Sequence, residues 1–434
     1  MSHLSITQLG GASNAQGNDV WGWTDPLTNK EYALMGLTSH TAFVDISNAT
    51  LPIYLGILPT STTNSVWRDI KVYNNYAFIV SEAAGHGMQV FDLTRLRNVT
   101  VPQTFNADAL YTGFGNCHNI AINEATGFAY AIGSNTYGGG PHIVNIQNPL
   151  TPVLAGGFSA QNYTHDAQIV IYNGPDTQHV GKKLFFGANE SKVVVVDVTN
   201  KSNPIVLSVF LYSNTGYTHQ GWLTNDHKYF LVGDELDETN FGFNTKTVII
   251  DMTDLDAPVL KSNYFGTTPA IDHNGYIKGN EFYLANYRAG LRLIDITNIN
   301  SGSVNEIGFF DTFPTSNSNS FNGAWSVYPY FSSGNILISD IERGLFVVKK
   351  SGALSQHNFD SSSFSISPNP ALEFSKISSK DSIESIAVYN NIGQQIMTTN
   401  NINSNEYILD TSKFVSGFYT VLVNQSNALK LIVK

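Results

Sequence analysis

One pattern of hydrophobic and polar residues recurs along most of the chain. A run of β-branched and apolar residues ends in Asp or Asn, a polar turn follows, and a proline leads into a second apolar run. The copies lie at residues 43–56, 142–154, 195–207 and 249–260, with looser copies beginning at Val90 and Leu293. Apolar runs bounded by Asn, Asp, Ser and Pro predict buried strands joined by turns. Because helical periodicity is nearly absent, the pattern predicts an all-β protein.

Two further strand-like segments precede each copy, so one repeat is expected to contain four short strands. The first segments begin near Asn18, Arg68, His118, His165, His219, His273 and Asn322, at intervals of 47 to 54 residues. Seven such repeats predict a seven-bladed β-propeller, because stacking the blades in a ring buries both faces of each sheet. The seventh repeat ends one strand short at Lys350, and residues 4–9 are expected to supply the outer strand that closes the ring. A six-bladed or irregular ring is the alternative.

The composition changes after Lys350. Residues 351–364 are rich in Ser, Asn and Asp and are typical of a linker, whereas residues 365–434 contain short alternating strands. About 70 residues of such strands predict a small β-sandwich. The expected organisation is therefore a propeller over 1–350, a linker over 351–364 and a C-terminal β-sandwich over 365–434.

The C-terminal domain carries a set of short motifs in a characteristic order. These are Ser367-Pro-Asn-Pro370, Val388-Tyr-Asn-Asn-Ile-Gly393, Leu409-Asp-Thr-Ser412, Ser416-Gly-Phe-Tyr419 and a basic last strand ending in Lys434. Together they resemble a type A sorting domain of the type IX secretion system of Bacteroidetes. The resemblance implies that the outer-membrane secretion machinery reads a signal formed by Pro368, Asn369, Pro370, Gly393, Gly417, Tyr419 and Lys434. An accessory β-sandwich for carbohydrate binding or stability is the alternative.

This resemblance implies a secreted or cell-surface protein. Residues 1–4 show neither the basic nor the apolar region of a signal peptide. We therefore expect either that the protein is made without one or that the chain starts after its removal, and the tail favours removal.

The predicted propeller also resembles a known family. The segments that carry the resemblance lie at residues 18–26, 67–71, 85–92, 163–168, 217–222 and 339–345. They are similar to the choice-of-anchor B proteins with LVIVD-type repeats. That family name describes variable C-terminal anchoring, so the resemblance implies a fold and a location and leaves the activity open.

Composition excludes several classes of function. The 23 Lys and Arg against 34 Asp and Glu give a net charge of −11, which argues against binding nucleic acid. The sequence contains no run of 18 apolar residues, so no integral membrane span is expected. The single cysteine, Cys117, excludes an intrachain disulfide, and we expect its side chain to be packed.

Histidines occupy one equivalent position in four successive repeats. They are His118, His165, His219 and His273, each at the start of a predicted innermost strand. Innermost strands line the channel of a propeller, so these four imidazoles are expected to lie close together. Since neutral imidazole suits Zn, Cu, Fe and Ni, the pattern predicts a transition-metal site. A purely structural hydrogen-bond network is the alternative.

Further polar residues are expected at the same end of the channel. The candidates for ligand binding are Arg68, Asp69, Glu82, Glu190, Arg288 and Glu342. Acids there are expected to orient the imidazoles or to bind Ca²⁺ through their oxygens. Glu235 and Asp166 are the candidates for a general base.

We therefore expect an exported propeller that acts as a binding module for a surface ligand, either a glycan or a protein. A metal-dependent hydrolase or oxidase that uses the histidine cluster is the alternative. A structural or adhesive surface protein is the third hypothesis, since propellers host all three functions.

Overall fold

The computed structural model describes residues 1–350, 364–390, 394–424 and 427–434. The chain divides into two compact units, residues 1–350 and 351–434. The predicted linker, apart from Phe364, and Gly393 of the sorting motif lie outside the described residues.

The strands of residues 1–350, all of which the structure describes, form seven sheets. The N-terminal strand is β1 (Ser2–Leu4). The first sheet contains β2 (Gly17–Thr24), β3 (Glu31–Leu37), β4 (His40–Asp45) and β5 (Ile53–Pro59). The second contains β6 (Arg68–Tyr73), β7 (Tyr76–Ser81) and β8 (Met88–Asp92), followed by a 3-10 helix at Leu93–Leu96. Strand β9 (Gln103–Thr104) adds a parallel edge to the first sheet, and β10 (Ala109–Tyr111) completes the second.

The next two sheets have four antiparallel strands each. The third contains β11 (Asn119–Asn123), β12 (Phe128–Ile132), β13 (His142–Asn145) and β14 (Val153–Gly157), with a 3-10 helix at Tyr137–Gly139. The fourth contains β15 (Asp166–Ile171), β16 (Lys183–Ala188), β17 (Val193–Asp197) and β18 (Ile205–Phe210).

The last three sheets repeat this antiparallel order. The fifth contains β19 (Thr218–Leu223), β20 (Tyr229–Asp234), a short helix α1 (Asp237–Phe241), β21 (Lys246–Asp251) and β22 (Val259–Phe265). The sixth contains β23 (Gly275–Lys278), β24 (Glu281–Ala285), β25 (Leu291–Asp295), a 3-10 helix at Ile299–Ser301 and β26 (Asn305–Phe310). The seventh contains β27 (Ala324–Tyr328), β28 (Asn335–Asp340) and β29 (Gly344–Lys349), with β1 as its fourth strand.

The first strand of each sheet packs against the first strand of the next. The order is β2, β6, β11, β15, β19, β23 and β27, and β27 returns to β2. The sheets therefore surround a central channel, which makes residues 1–350 a β-propeller, and the apolar core fills the spaces between neighbouring sheets. Between the first two sheets, for example, the Phe43 and Phe91 rings stack with centroids 4.6 Å apart.

The repeated Asp or Asn of the sequence pattern ends the third strand of a sheet. Its Oδ1 accepts a hydrogen bond from the backbone N–H two residues later, as Asp45 does from Ser47 at 2.9 Å. The same bond forms at Asp92, Asn145, Asp197, Asp251 and Asp295. An Asx turn of this kind reverses the chain, which explains why this residue type recurs there.

The ring closes where the N-terminus joins the seventh sheet. Strand β1 pairs antiparallel with β29, with Leu4 opposite Leu345. The prediction of an N-terminal outer strand is confirmed in place but wrong in extent, because the strand is Ser2–Leu4 and not residues 4–9. Residues 5–11 turn instead, with Gly11 N donating to Ile6 O at 3.0 Å, and this turn buries Ile6 and Leu9.

Five strands make up the described part of the C-terminal unit. They are β30 (Phe364–Ser367), β31 (Phe374–Asn390), β32 (Gln395–Asp410), β33 (Gly417–Val423) and β34 (Asn427–Val433). Hydrogen bonds join all five into one sheet, in which the long β31 pairs with β30, β32 and β33.

Two of the motifs predicted to form a sorting signal make contacts within this sheet. The Asn369 side chain donates to Lys430 O at 2.6 Å and accepts from Ile432 N at 2.9 Å, so the loop between Pro368 and Pro370 is fastened to β34. Gly417 begins β33, and the Tyr419 hydroxyl donates to Val415 O at 2.6 Å.

Candidate functional site

Four histidines form a continuous row at the N-terminal ends of the innermost strands; we call this row the stack, although neighbouring rings are tilted by 44° to 50°. The ring centroids of His118 and His165, of His165 and His219, and of His219 and His273 are each 4.2 Å apart. Trp325 extends the stack, with its ring centroid 4.4 Å from that of His273. The alignment of repeats therefore placed equivalent residues on neighbouring strands, and the structure brings the four imidazoles together.

Hydrogen bonds fix which ring nitrogen carries the proton in three of these histidines. The Nδ1 of His165 lies 3.0 Å from His219 O, and the Nδ1 of His273 lies 2.5 Å from Trp325 O. A carbonyl oxygen only accepts, so both Nδ1 atoms donate, and in a neutral imidazole Nε2 then keeps its lone pair. The Nδ1 of His118 likewise donates to Glu82 Oε1 at 2.5 Å.

Glu235 lies against the last two imidazoles of the stack. Its Oε2 is 3.9 Å from His219 Nε2, and its Oε1 is 3.7 Å from His273 Nε2. The hydroxyl of Tyr287 donates to Glu235 Oε1 at 2.7 Å and holds the carboxylate in this position. One ligand atom from each of His219, Glu235 and His273 lies within 4.8 Å of the others, so these three side chains form a group of metal-binding size.

Burial sets the protonation of this group. It lowers the pKa of His273 to about 3 and, together with the neighbouring imidazoles, holds the pKa values of His165 and His219 well below the ordinary range. It raises the pKa of Glu235 to about 7, although the hydrogen bond from Tyr287 opposes the rise. The rings of His165, His219 and His273 are therefore neutral near pH 7, which is the form of imidazole that binds metal ions.

A cavity of about 350 Å³ opens beside Glu235 and Tyr287, and Trp67, Phe321 and Trp325 line it as well. We call it the upper cavity. A second cavity of about 480 Å³ lies at the other ends of the innermost strands, with Trp21, Lys71, Asp166, Gln168, Trp222 and Tyr276 in its wall. We call it the lower cavity. The two predicted bases are therefore divided, since Glu235 lines the upper cavity and Asp166 the lower one.

Two of the other predicted ligand-binding residues, Arg68 and Asp69, line a small cavity together with the four histidines. Arg68 is buried, and it donates from Nε to Leu37 O at 3.2 Å and from Nη1 to His86 Nε2 at 3.1 Å. Asp69 is buried beside Lys71, whose Nζ lies 2.6 Å from its Oδ1. Of this set, Glu82 is the residue that contacts the stack directly, through His118.

Arg288 and Glu342 fasten one loop before β27. Arg288 Nη2 donates to Asn322 Oδ1 at 2.6 Å, and Glu342 Oε1 accepts from Asn322 Nδ2 at 2.6 Å. Glu190, by contrast, is an exposed turn residue with a φ of 55°, and its carbonyl accepts from Thr218 N at 2.5 Å. These three residues lie around the stack without touching it in the described contacts.

Sequence reasoning missed Tyr287. Tyr287 lies two residues after the end of the second strand of its repeat and reaches Glu235 from the neighbouring sheet. The signal that could have found Tyr287 is its position in the repeat, because Glu235 also lies just after the second strand of its own repeat, the fifth. Cys117 is buried as expected and donates to backbone carbonyls.

A second group of metal-binding size lies elsewhere, at Asp176, His179 and Asp256. Asp176 Oδ2 already accepts from Leu255 N at 2.9 Å, and the Nζ of Lys182 lies 3.1 Å from His179 Nδ1. A backbone N–H and the Lys182 ammonium therefore already contact the atoms of this group that could bind a metal ion.

Comparison with protein families identifies two kinds of sequence in the chain. A model described as a secretion system C-terminal sorting domain matches residues 365–434, and the LVIVD repeat model matches residues 67–85 and 184–211. The tail is a type IX sorting domain. The protein is thus secreted or displayed on the cell surface, and within the described residues no helix is long and apolar enough to cross a membrane.

Several solved structures are similar in backbone. PorZ, an essential bacterial surface component of the type IX secretion system of Porphyromonas gingivalis, is 13% identical with a TM-score of 0.48; the match covers 94% of this chain and 58% of that one. The extracellular domain of BT4673 from B. thetaiotaomicron is 10% identical with a TM-score of 0.47, covering 100% and 58%. The C-terminal WD40 domain of Sif2 is 11% identical with a TM-score of 0.46, covering 78% and 82%. No curated protein gives a sequence match.

Proposed function

We propose that this exported propeller binds a divalent transition-metal ion at His219, Glu235 and His273. The observation that carries the proposal is the approach of one ring nitrogen from each of two neutral imidazoles and one carboxylate oxygen to within 4.8 Å of one another. Two histidines and one carboxylate are a donor set that proteins use for zinc and for non-haem iron. On this proposal the other stacked histidines support the site, and the ion anchors the surface ligand.

The separations support binding after a small inward movement. Ligands about 2.1 Å from a tetrahedral ion lie roughly 3.4 Å from each other. The Nε2 to carboxylate distances of 3.9 Å and 3.7 Å exceed that value by a few tenths of an ångström. The surrounding bonds fit at His273, because a metal-binding histidine usually donates its other N–H to a carbonyl, as His273 does to Trp325, whereas the buried Nδ1 of His219 has no hydrogen-bond partner among the described residues.

Cobalt titration of the full chain tests the proposal. We expect one Co²⁺ per chain with visible absorption bands, and elemental analysis should find about one transition metal in the native protein. Replacing both His219 and His273 by Ala should abolish binding. Glu235→Gln retains an acceptor for Tyr287 but loses the charge, and should weaken binding about tenfold or more.

The second group supplies the matched control. His179→Ala should leave Co²⁺ binding unchanged, because the group that contains His179 is already served by Lys182 and by backbone N–H groups. The proposal is overturned if the native protein binds no Co²⁺, or if His179→Ala reduces binding as much as the channel variants do.

A metal-dependent enzyme is the second candidate function. The upper cavity favours it, since three protein ligands leave a coordination position for water and Glu235 and Tyr287 line that cavity. Hydrolysis of a panel of esters and lactones, measured with and without bound metal, decides between the two. Activity that requires metal and disappears in Glu235→Gln would establish an enzyme.

We also infer the finer architecture. Residues 1–350 are seven blades, one for each sheet of the closed ring. On this inference the single C-terminal sheet folds over on itself into a small β-sandwich over 365–434, since β31 and β32 shift register between Ser378 and Ser385 and one apolar cluster fills the described part of the unit. The LVIVD segments and the order of sorting motifs support membership of the choice-of-anchor B proteins of Bacteroidetes.

A further inference from the structure

The lower cavity lies at the opposite ends of the innermost strands from the histidines. Side chains two residues apart lie on the same face of a strand. An innermost strand therefore places two residues in the channel, a polar residue first and a second residue two positions later. The pairs include Asp69 with Lys71, and Gln220 with Trp222. The second members line the lower cavity, whose volume of about 480 Å³ falls in the usual range of small-molecule sites.

Five aromatic rings form one wall of this cavity. Trp222 and Tyr276 have ring centroids 4.9 Å apart, Trp21 and Tyr328 5.0 Å, and Tyr328 and Tyr330 5.4 Å. Every one of these contacts is edge to face. Trp222, Tyr328 and Tyr330 are only partly buried, which leaves aromatic surface to contact a ligand.

Polar atoms without a protein partner lie beside the aromatic wall. Gln220 is 3% exposed, and its Oε1 accepts from Gly275 N at 3.0 Å, but its buried Nε2 has no hydrogen-bond partner among the described residues. Asp166 is 6% exposed, and its Oδ1 accepts from Ala167 N at 2.5 Å. A buried amide donor without a partner destabilises the folded protein, and a ligand hydroxyl that accepts from Nε2 would remove that cost.

The charged side chains around the lower cavity disfavour the binding of charged ligands. Lys71 Nζ lies 4.5 Å from the centroid of the Trp21 ring and already occupies the cation-binding face of that ring. Its charge is balanced by Asp19 at 3.1 Å and Asp69 at 2.6 Å. A cationic ligand would meet this ammonium, and an anionic ligand would meet the carboxylates, including that of Asp166.

From this combination we propose that the lower cavity binds a neutral carbohydrate, with a sugar ring against the aromatic wall and its hydroxyls bonded to Gln220 and Asp166. Pyranose rings have an apolar C–H face and a hydroxyl edge, which match the two sides of the cavity. The site uses none of the three proposed metal ligands, so its test is separate from that of the metal.

Calorimetric titration of the full chain tests the proposal. The probes are maltose, cellobiose, xylobiose and N,N′-diacetylchitobiose, with choline and digalacturonate as the cationic and anionic comparisons. We expect at least one neutral disaccharide to bind at millimolar concentration or below and neither ion to compete. Binding should persist after treatment with EDTA, whatever the outcome at the metal site.

Two variants and one control locate the binding. Gln220→Glu keeps the acceptor for Gly275 N but removes the free donor, and should weaken binding about tenfold, which equals about 1.4 kcal/mol. Trp222→Leu should weaken binding by at least as much. Trp67→Leu, an exposed tryptophan of the upper cavity, should have no effect.

The proposal is overturned if none of the four disaccharides binds, if choline or digalacturonate binds in their place, or if Trp67→Leu weakens binding as strongly as Trp222→Leu. Thermal unfolding of each variant checks folding. If Trp222→Leu fails to fold, Gln220→Glu alone decides, since it is nearly identical in shape to the native residue.

Discussion

The hydrogen bonds of the two ring nitrogens distinguish the structural histidines from the histidines of the channel. His40, His86 and His142 each use both nitrogens in hydrogen bonds within the protein. His165 and His273 use Nδ1 alone in the described hydrogen bonds and keep an Nε2 lone pair. A satisfied imidazole has no capacity left for a ligand, so this difference favours the channel histidines as ligands.

His86 gives a pH prediction. Burial, reinforced by the Arg68 guanidinium, lowers the pKa of His86 from 6.5 to about 4. Between these values the unfolded chain binds one more proton than the folded chain, so the free energy of unfolding falls as the pH falls. The loss is about 1.4 kcal/mol per pH unit, and it is complete near pH 4.

His86→Gln removes this titration but keeps an acceptor for Arg68. Chemical denaturation of both proteins between pH 7 and pH 4 measures the effect. We expect the native protein to lose stability relative to the variant as the pH is lowered; a difference that stays constant with pH would contradict the assignment.

The sequence could predict the cluster of channel residues but not their detailed roles. Repeat spacing placed His118, His165, His219 and His273 in register, and it placed Glu235 at the same end of the channel. Arg68 is buried beside Gly36 and donates to Leu37 O of the neighbouring sheet, and spacing along the chain does not reveal these tertiary contacts. The choice of nitrogen depends on the carbonyl of the next sheet, which is likewise a tertiary contact.

At the scale of the element, the closing strand depends on a glycine. Gly344 begins β29 with a φ of +98°, and a Cβ there would lie 2.4 Å from the carbonyl oxygen of Leu4 in β1. A backbone atom cannot move away cheaply, so any side chain would push β1 from the edge of β29. The short β1 thus requires glycine opposite it.

Gly344→Ala should therefore lower the free energy of unfolding by about 2–3 kcal/mol, combining backbone strain with the clash. Gly334→Ala is the matched control, in the turn that leads into β28 of the same sheet. Its φ is +81°, and its Cβ would meet only the flexible end of Lys349 at 3.4 Å. Denaturant unfolding compares the two, and equal losses would show that strain alone matters and that closure does not.

Strands were more predictable than their ends. Alternating and apolar runs identified the repeats, because a buried strand needs them whatever its neighbours. The predicted extent of β1 was wrong because Ile6 and Leu9 are buried in the core by a turn and not by a strand. A run of apolar residues indicates that the side chains are buried, and side chains are buried in packed turns as well as in strands.

At the scale of the whole molecule, the chain joins a channel with chemically different ends to an export signal. The upper end presents neutral imidazoles and a carboxylate, and the lower end presents aromatic rings and free polar atoms. A protein displayed outside the cell meets metal ions and glycans from its surroundings. The sorting domain therefore brings the propeller to the place where both proposed ligands occur.

Export gives the last prediction. In a bacterium with type IX machinery, the full chain behind a Sec signal peptide should reach the surface or the medium, whereas a chain lacking residues 365–434 should stay in the periplasm. Asn369→Ala should reduce export, because it frees the loop of the sorting motif from Lys430 and Ile432 of the last strand. Asn405→Ala, which removes a side-chain bond to Lys380 O at 2.9 Å in the same sheet, is the control and should leave export unchanged. Immunoblots of the periplasmic, surface and medium fractions measure the outcome. Equal surface levels of the truncated and full-length chains would show that the tail is not required for export.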